Sequence, residues 1–551
     1  MNTHLRFCAH IGSPRITTLL RCLLLVLLGS VILLPLQRGN AATISVNTFN
    51  DVVADDGACS LREAVTSVNN GAASGNMTGE CAAGNGINDT IFVAAGTHHL
   101  TITGSNEDFN AKGDLDLRAS MTIAGAGMGS TTIDASLLTN SGFPDRVVQI
   151  VGPSIQVTLR DLMISSGFAP SAASAGAAGA PGGGILVSNA TLTLQHVELF
   201  SNRAGRGGDA STGMFGFGGA GGAGGGLAAD ASAVTVSDSL LTDNHGGVGG
   251  DATSGSPGSF PGQGGAGGAI SLSNSSSLTL QRSILTVNAS GVGGLFFATP
   301  TNSGYGGAIY LGSNSTATVT QSAIDGNASG DANIGIAGGG IALNGGATLT
   351  LTQSSVTRNV SRFGGGIYAS SAATLQLSND TIAANQASLG GAMYLDNTAA
   401  SIELGTISNN TAATGCGVAV DSNNVVQLRT SIVSGNTGGN DCGTDGGTQN
   451  YISAGYNIAG SGCPSNGTAD IATTDPQLSP LSANGGLGDT MMPRPTSPAT
   501  DAGTCAISSV YIDERTHARP SDVPRVANVA DGCDIGAVEL DDDIFWDGFG
   551  G

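Results

Sequence analysis

Apart from its 41 carboxylates, few residues in this chain could move a proton. Among 551 residues there are 7 histidines and a single lysine, Lys112. His98 and His99 are neighbours on a strand-like stretch, which sends them to opposite sides. His196, His245 and His517 are isolated in the sequence. No G-x-S-x-G nucleophile turn and no metal-ligand spacing occurs. The cysteines form no C-x-x-C pair, so zinc is disfavoured. Hydrolysis of a glycan would need two carboxylates at a set separation; a lyase would need a base beside a cation. The chain therefore gives no catalytic residue, no cofactor and no metal site. Tyr310, Tyr368 and Tyr394 are different, because they recur at one position of a repeat. Three tyrosines on one line could stack sugar rings, or could form an aromatic ladder that stabilises a sheet face.

The elements that must position these side chains are set by that repeat. It runs from about residue 182 to 436, and its marker is an apolar residue, two variable residues and an asparagine. The asparagines are Asn202, Asn244, Asn288, Asn327, Asn359, Asn385, Asn410 and Asn436. Eight positions before each stands Leu194, Val236, Leu280, Val319, Leu351, Leu377, Ile402 or Leu428. Ten positions before each, the residue is again aliphatic. Apolar residues two apart are strand alternation and exclude helical repeats. A glycine pair and an apolar residue open seven of the units, as in Gly306-Gly307-Ala308-Ile309 and Gly390-Gly391-Ala392-Met393.

From that apolar residue to the asparagine the distance is always 17 or 18 residues, while the link to the next unit varies from 26 down to 8. Units that close in 25 or 26 residues hold three short strands and tight turns. They leave no room for a crossover helix. The expected fold is therefore all-β: a right-handed parallel β-helix, with N- and C-terminal capping regions over its raw ends. The asparagines should bond the turn backbone and one another as a ladder. The divisions expected are a signal peptide (1–41), an N-terminal cap with early coils (42–150), the helical repeats (151–440), a C-terminal region (441–540) and an acidic, aromatic tail (541–551). The long links leave one corner and carry Phe168, Phe215, Phe217, Phe260, Phe296 and Phe297, which could form an adaptable contact surface but should rather fold down over the coil exterior.

Residues 22–36 are an apolar run preceded by arginines and followed by Gly39-Asn40-Ala41-Ala42, the pattern of an export signal. No later segment is apolar enough for a transmembrane helix. A formal charge of −22 leaves nucleic acid a poor partner. Seven cysteines follow the leader. For an exported chain, sequence neighbours suggest the bridges Cys59–Cys81, Cys442–Cys463 and Cys505–Cys533, with Cys416 odd. Charge gathers nowhere beside the asparagines: neither of the two positions before them collects acids or bases. Asp325 and Arg358, one unit apart, read as an exposed ion pair.

Three stretches resemble known families of secreted bacterial proteins. Cys59-Ser60-Leu61-Arg62-Glu63-Ala64 matches the hexapeptide of the CSLREA domain, and Asp89-Thr90-Ile91-Phe92 and Gly113-Asp114-Leu115-Asp116-Leu117 are similar to that family too. Under that resemblance Asp114 and Asp116 are structural residues rather than a calcium site. The glycine-pair units are similar to polymorphic outer membrane protein repeats, with Leu, Ile or Val in place of the usual Phe. Gly455-Tyr456-Asn457, Asn484-Gly485-Gly486, Ser497-Pro498-Ala499 and Cys533-Asp534-Ile535-Gly536-Ala537-Val538-Glu539 resemble the choice-of-anchor Q domain, which often has Asp-x-Arg-Gly where this chain has Asp513-Glu514-Arg515-Thr516. These resemblances imply a β-helix at the bacterial outer membrane or outside the cell, and no settled activity. The expected function is adhesive and non-enzymatic: contact with extracellular glycans or cell-surface components. The alternative is a polysaccharide lyase or glycosidase, which a charged groove on the folded coils would favour.

Overall fold

The computed structural model describes residues 41–86, 88–211, 216–252, 258–296, 299–300, 302–330, 337–421, 424–446, 450–506 and 511–540. Residues 1–40, which hold nearly all of the expected signal peptide, lie outside them, as do Phe215, Phe297 and the tail 541–551. Among the described residues no helix is long and apolar enough to cross a membrane.

The chain is a parallel β-helix. Each central coil contributes a strand to each of three faces. The first face stacks eleven strands, from Leu115–Leu117 to Cys442–Thr444. The second runs from Thr43–Ser45 to Tyr451–Ser453, and the third from Gly96–His99 to Ile471–Ala472. Register follows the repeat, so that Leu192, Val234, Leu278, Ala317, Leu349, Leu375, Ala400 and Val426 pair in sequence along the second face. All eight are at most 5 % exposed, so like residues stack into one continuous core. Coils extend past residue 440, to Ala472. These last ones lack the apolar-x-x-Asn marker, so the repeat pattern stops short of them.

The asparagine row closes the corner after the third face. The Nδ2 of Asn359 donates to Asn385 Oδ1 at 3.0 Å and to the Ile324 carbonyl at 2.9 Å, and its backbone N–H donates to the same Asn385 oxygen at 2.9 Å. The same pattern runs from Asn202 to Asn436, where Asp441 Oδ1 takes the place of the next amide. A second ladder, unread in the sequence, lines the corner between the second and third faces. There the N–H of Ser239, Ser283 and Ser322 each donates to the next coil's serine Oγ, at 3.1–3.2 Å, ending on Ser354.

The long links do not fold down over the coils. They run out and back as extended backbone, hydrogen-bonded link to link, as in Gly207 N–H to the Val248 carbonyl and Gly249 N–H to that of Val292 (both 2.9 Å). The close approach demands glycine: a Cβ on Gly219 would collide with the Ala177 carbonyl. Among the described link aromatics, Phe217 and Phe260 stack at 5.7 Å and are both more than half exposed, and Phe168 is half-buried.

At the N-terminal end, helix α1 (Leu61–Asn70) explains the hexapeptide. Ser60 and Glu63 form a reciprocal capping box, with Glu63 N–H to Ser60 Oγ at 3.1 Å and Ser60 N–H to Glu63 Oε2 at 2.9 Å. Arg62 is fully buried, pairs with Asp51 at 2.7 Å and donates to the carbonyls of Gly113 and Asp114. Cys59–Cys81, Cys442–Cys463 and Cys505–Cys533 are bonded, and Cys416 is free and buried. The C-terminal segment 473–540 lies back along the corner between the second and third faces. It is fastened by Gln353 Nε2 to the Asp513 carbonyl (2.8 Å), Thr381 to Glu514, Ala537 N–H to Thr406 Oγ1 (2.9 Å) and Arg358 to Asp489 (2.7 Å).

Candidate functional site

The turn between the second and third faces is made by one residue per coil in the left-handed region. Asp161, His196, Asp238, Arg282, Gln321 and Gln353 are the first six, with φ between 43° and 57°, and Asn379, Leu404 and Thr430 continue the row. Left-handed backbone at non-glycine residues is uncommon, and from Asp238 to Gln353 the serine ladder immediately after it holds the turn, its first hydroxyl, Ser239 Oγ, also accepting from the Val197 N–H behind His196. The geometry sets these polar side chains outward, one coil apart, about 4.8 Å in a parallel stack. Sequence inspection of the two positions before each asparagine missed this row. The signal was present six positions before, where His196, Asp238, Arg282, Gln321 and Gln353 recur.

Neighbouring coils pair charge with charge. His196 Nδ1 lies 3.0 Å from Asp161 Oδ1, and Arg160 reaches the other Asp161 oxygen at 2.7 Å. Arg282 grips Asp238 with two bonds of 2.7 Å. Asp161 is held below the usual carboxylate range by the bond to His196 and then by Arg160. Asp238 is likewise lowered, first by its bond to Arg282, with the charges of Arg282 and His196 adding to it. Glu198 stands two residues beyond His196 on the third face, beside Met163 and Leu240, and burial raises it.

The part of the row from Asp238 to Gln353 opens into a cleft of about 690 Å³, with His196 and Asp161 on the coils that precede it. Asp238, Arg282, Gln321 and Gln353 supply its polar lining, Leu240 and Ile284 its apolar lining. Met128 also lines it, and the folded-back C-terminal segment contributes Gly485–Gly488 and Glu514–Thr516. Polar groups converging on an apolar floor are the usual make-up of a ligand site. The Asn484-Gly485-Gly486 motif is thus part of a wall, positioned by Arg515. That arginine is fully buried, bonds Asp513 at 2.7 Å and donates to the Glu539 carbonyl at 2.7 Å.

The other candidate residues lie elsewhere. Tyr310, Tyr368 and Tyr394 share the outward row of the first face, with Ala342 between the first two. Tyr305 from a link fills the space above Ala342, 6.1 Å from Tyr310 and 5.9 Å from Tyr368. Tyr368 stacks on Tyr394 at 5.9 Å, and Tyr394 is buried. The rings therefore face one another, and sugar could reach only the half-exposed Tyr310, Tyr368 and Tyr305. Asp325 and Arg358 pair at 2.7 Å, with Arg358 also held by Asp489. His98 is buried against Phe49, while His99 points outward to Asp134 at 3.1 Å.

No family model matches this chain, and no curated protein matches it. Solved structures do. The A-module of Azotobacter vinelandii mannuronan C-5 epimerase AlgE4 is 14% identical over 70% of this chain and 89% of that one, with a TM-score of 0.35. The AlgE6 A-module is 13% identical over 68% and 91%, with a TM-score of 0.32. Pectate lyase Pel9A is 11% identical over 91% and 97%, with a TM-score of 0.36. What this chain has in common with them is the parallel β-helix.

Proposed function

We propose that this chain is an exported bacterial β-helix that binds extended glycans across the corner cleft and thereby contacts the cell surface or its surrounding matrix. The observation that carries this reading is the cleft itself, in which an ion pair, two amides and an apolar floor converge under a wall brought from the far end of the chain. Amide and charged groups bond sugar hydroxyls, and Leu240, Ile284 and Met128 offer surface for the apolar faces of the rings. The leader, the CSLREA-like hexapeptide and the three disulfides support an exterior location. A glycan array with the full chain and its Arg282→Ala and Gln353→Leu variants tests the reading. Binding weakened at least tenfold in both supports it; undiminished binding by both removes the cleft from consideration.

A second reading, cleavage of the bound glycan, is favoured by the charged row. Asp161 orients the His196 ring and leaves Nε2 free as a base. Burial keeps Glu198 protonated further up the pH scale, as a donor to a leaving oxygen requires. With a uronate, His196 would take the C5 proton, the C4–O bond would break as a C4–C5 double bond forms, and Glu198 would protonate the departing oxygen. Ultraviolet detection of an unsaturated product, lost in His196→Ala while binding persists, would establish cleavage. No product from any bound polymer would leave binding alone.

A further inference from the structure

The outward residues of the second face include one row that is threonine in nine successive coils before it passes to Gln376, Ser401, Gln427 and Ile452. Thr43, Thr90, Thr122, Thr158, Thr193, Thr235, Thr279, Thr318 and Thr350 pair in unbroken register, coil to coil. Each alternates with buried aliphatic residues and is itself exposed or half-exposed. Strand propensity alone does not account for the row. Two positions to one side, on the same strands, stand Thr191, Ala233, Ser277, Thr316 and Thr348; two to the other stand Gln195, Ser237, Gln281, Thr320 and Thr352. Those rows have the same backbone and are mixed; over these five coils the middle row is uniform.

Uniformity on an exposed face needs a repeating partner. Threonine is stiff at χ1, so parallel stacking sets a hydroxyl and a methyl at every step of about 4.8 Å. Among the described residues no side-chain hydrogen bond engages these nine hydroxyls, and from Thr193 to Thr350 the flanking rows carry no charge. The long links leave from the asparagine corner and do not cross this face. Among the described residues, aromatic rings and charges, features that capture a single glycan chain, are missing from the row and its flanks between Thr193 and Thr318, and the hollow at Thr350 opens toward Gln376 and Ser401, at the end of the row. A lattice of water, whose oxygens repeat at nearly the β-ladder spacing, matches it: hydroxyls join the lattice and methyls settle between its waters.

We propose that this threonine row is an ice-binding surface, separate from the corner cleft. The test is thermal hysteresis and ice-recrystallisation inhibition by the full chain. The comparison variants are Thr235→Lys/Thr279→Lys, which puts two long charged side chains into the row, and Val287→Lys, which adds charge at an exposed site on another corner. Wild type and Val287→Lys should shape ice and block recrystallisation. The double variant should need at least tenfold higher concentration, with its circular-dichroism melt unchanged. Absence of ice activity in the folded wild-type chain overturns the proposal, and so does full activity in the double variant. Retention of wild type on crystalline cellulose or chitin powder, lost in the double variant and without ice activity, overturns the occupant in favour of a solid glycan.

Discussion

The asparagine row and the corner row are built by the same coils at the same spacing, yet one is a single residue type and the other is acid, imidazole, acid, guanidinium and amides. The difference is burial. Asn202 to Asn410 are at most 1 % exposed, and each amide supplies a donor or acceptor that its neighbours cannot obtain from water. Any other side chain at one step strands polar groups on two coils. From Asp161 to Gln321 the corner row reaches solvent, where water satisfies whatever stands there, so its composition is free to serve a ligand; Gln353 is buried under the C-terminal wall and bonds the Asp513 carbonyl. Identity along a ladder thus has two causes, burial inside and a periodic partner outside. The threonine row is informative because burial does not explain it.

Changes to the two rows should separate accordingly. The largest effect is expected inside. Asn359→Ala removes the acceptor for both the backbone and side-chain donors of Asn327. The cost is about 1–3 kcal/mol for each group left unpaired, read as a lower urea midpoint. An unaltered midpoint would break the distinction between the rows.

Next comes the attachment of the C-terminal wall. Burial raises Asp380 and Glu514 well above the ordinary carboxylate range; for Glu514 the Asp380 and Asp513 charges add to this, while Thr381 and Arg515 oppose it. The folded chain holds protons that the unfolded chain releases near pH 4. Their contribution is therefore complete below that range and is lost as pH rises through it toward the folded values. Limited proteolysis of segment 473–540 should quicken with increasing pH, and Glu514→Gln should flatten that dependence. The same slope in the variant would assign it to other groups.

Arg282→Ala should leave stability within about 1 kcal/mol, since both partners are largely exposed, while reducing glycan affinity about tenfold, or 1.4 kcal/mol. A stability loss comparable to that of Asn359→Ala would mean that the corner row is structural after all. The smallest change is Tyr310→Ser, at the end of the aromatic stack. If the stack is chiefly structural, it should lower the melting temperature slightly and leave glycan retention unchanged. Weakened retention would shift the binding site to the first face.

The coils, the core and the asparagine ladder could be read from the sequence, because stacking turns a fixed offset in sequence into a straight line in space. Leu351 and Leu377, or Asn359 and Asn385, need no further information to be placed together. By the same rule the corner row and the threonine row were legible, six and nine positions before the asparagines, once a repeating unit was known. What the repeat could not supply was contact between parts that do not repeat. Only tertiary structure laid segment 473–540 along the corner, set Gly485–Gly488 over Arg282, and brought Tyr305 into the space above Ala342. Those placements rest on shape and on single hydrogen bonds between distant stretches, such as Gln353 to Asp513. No periodicity in the chain records them.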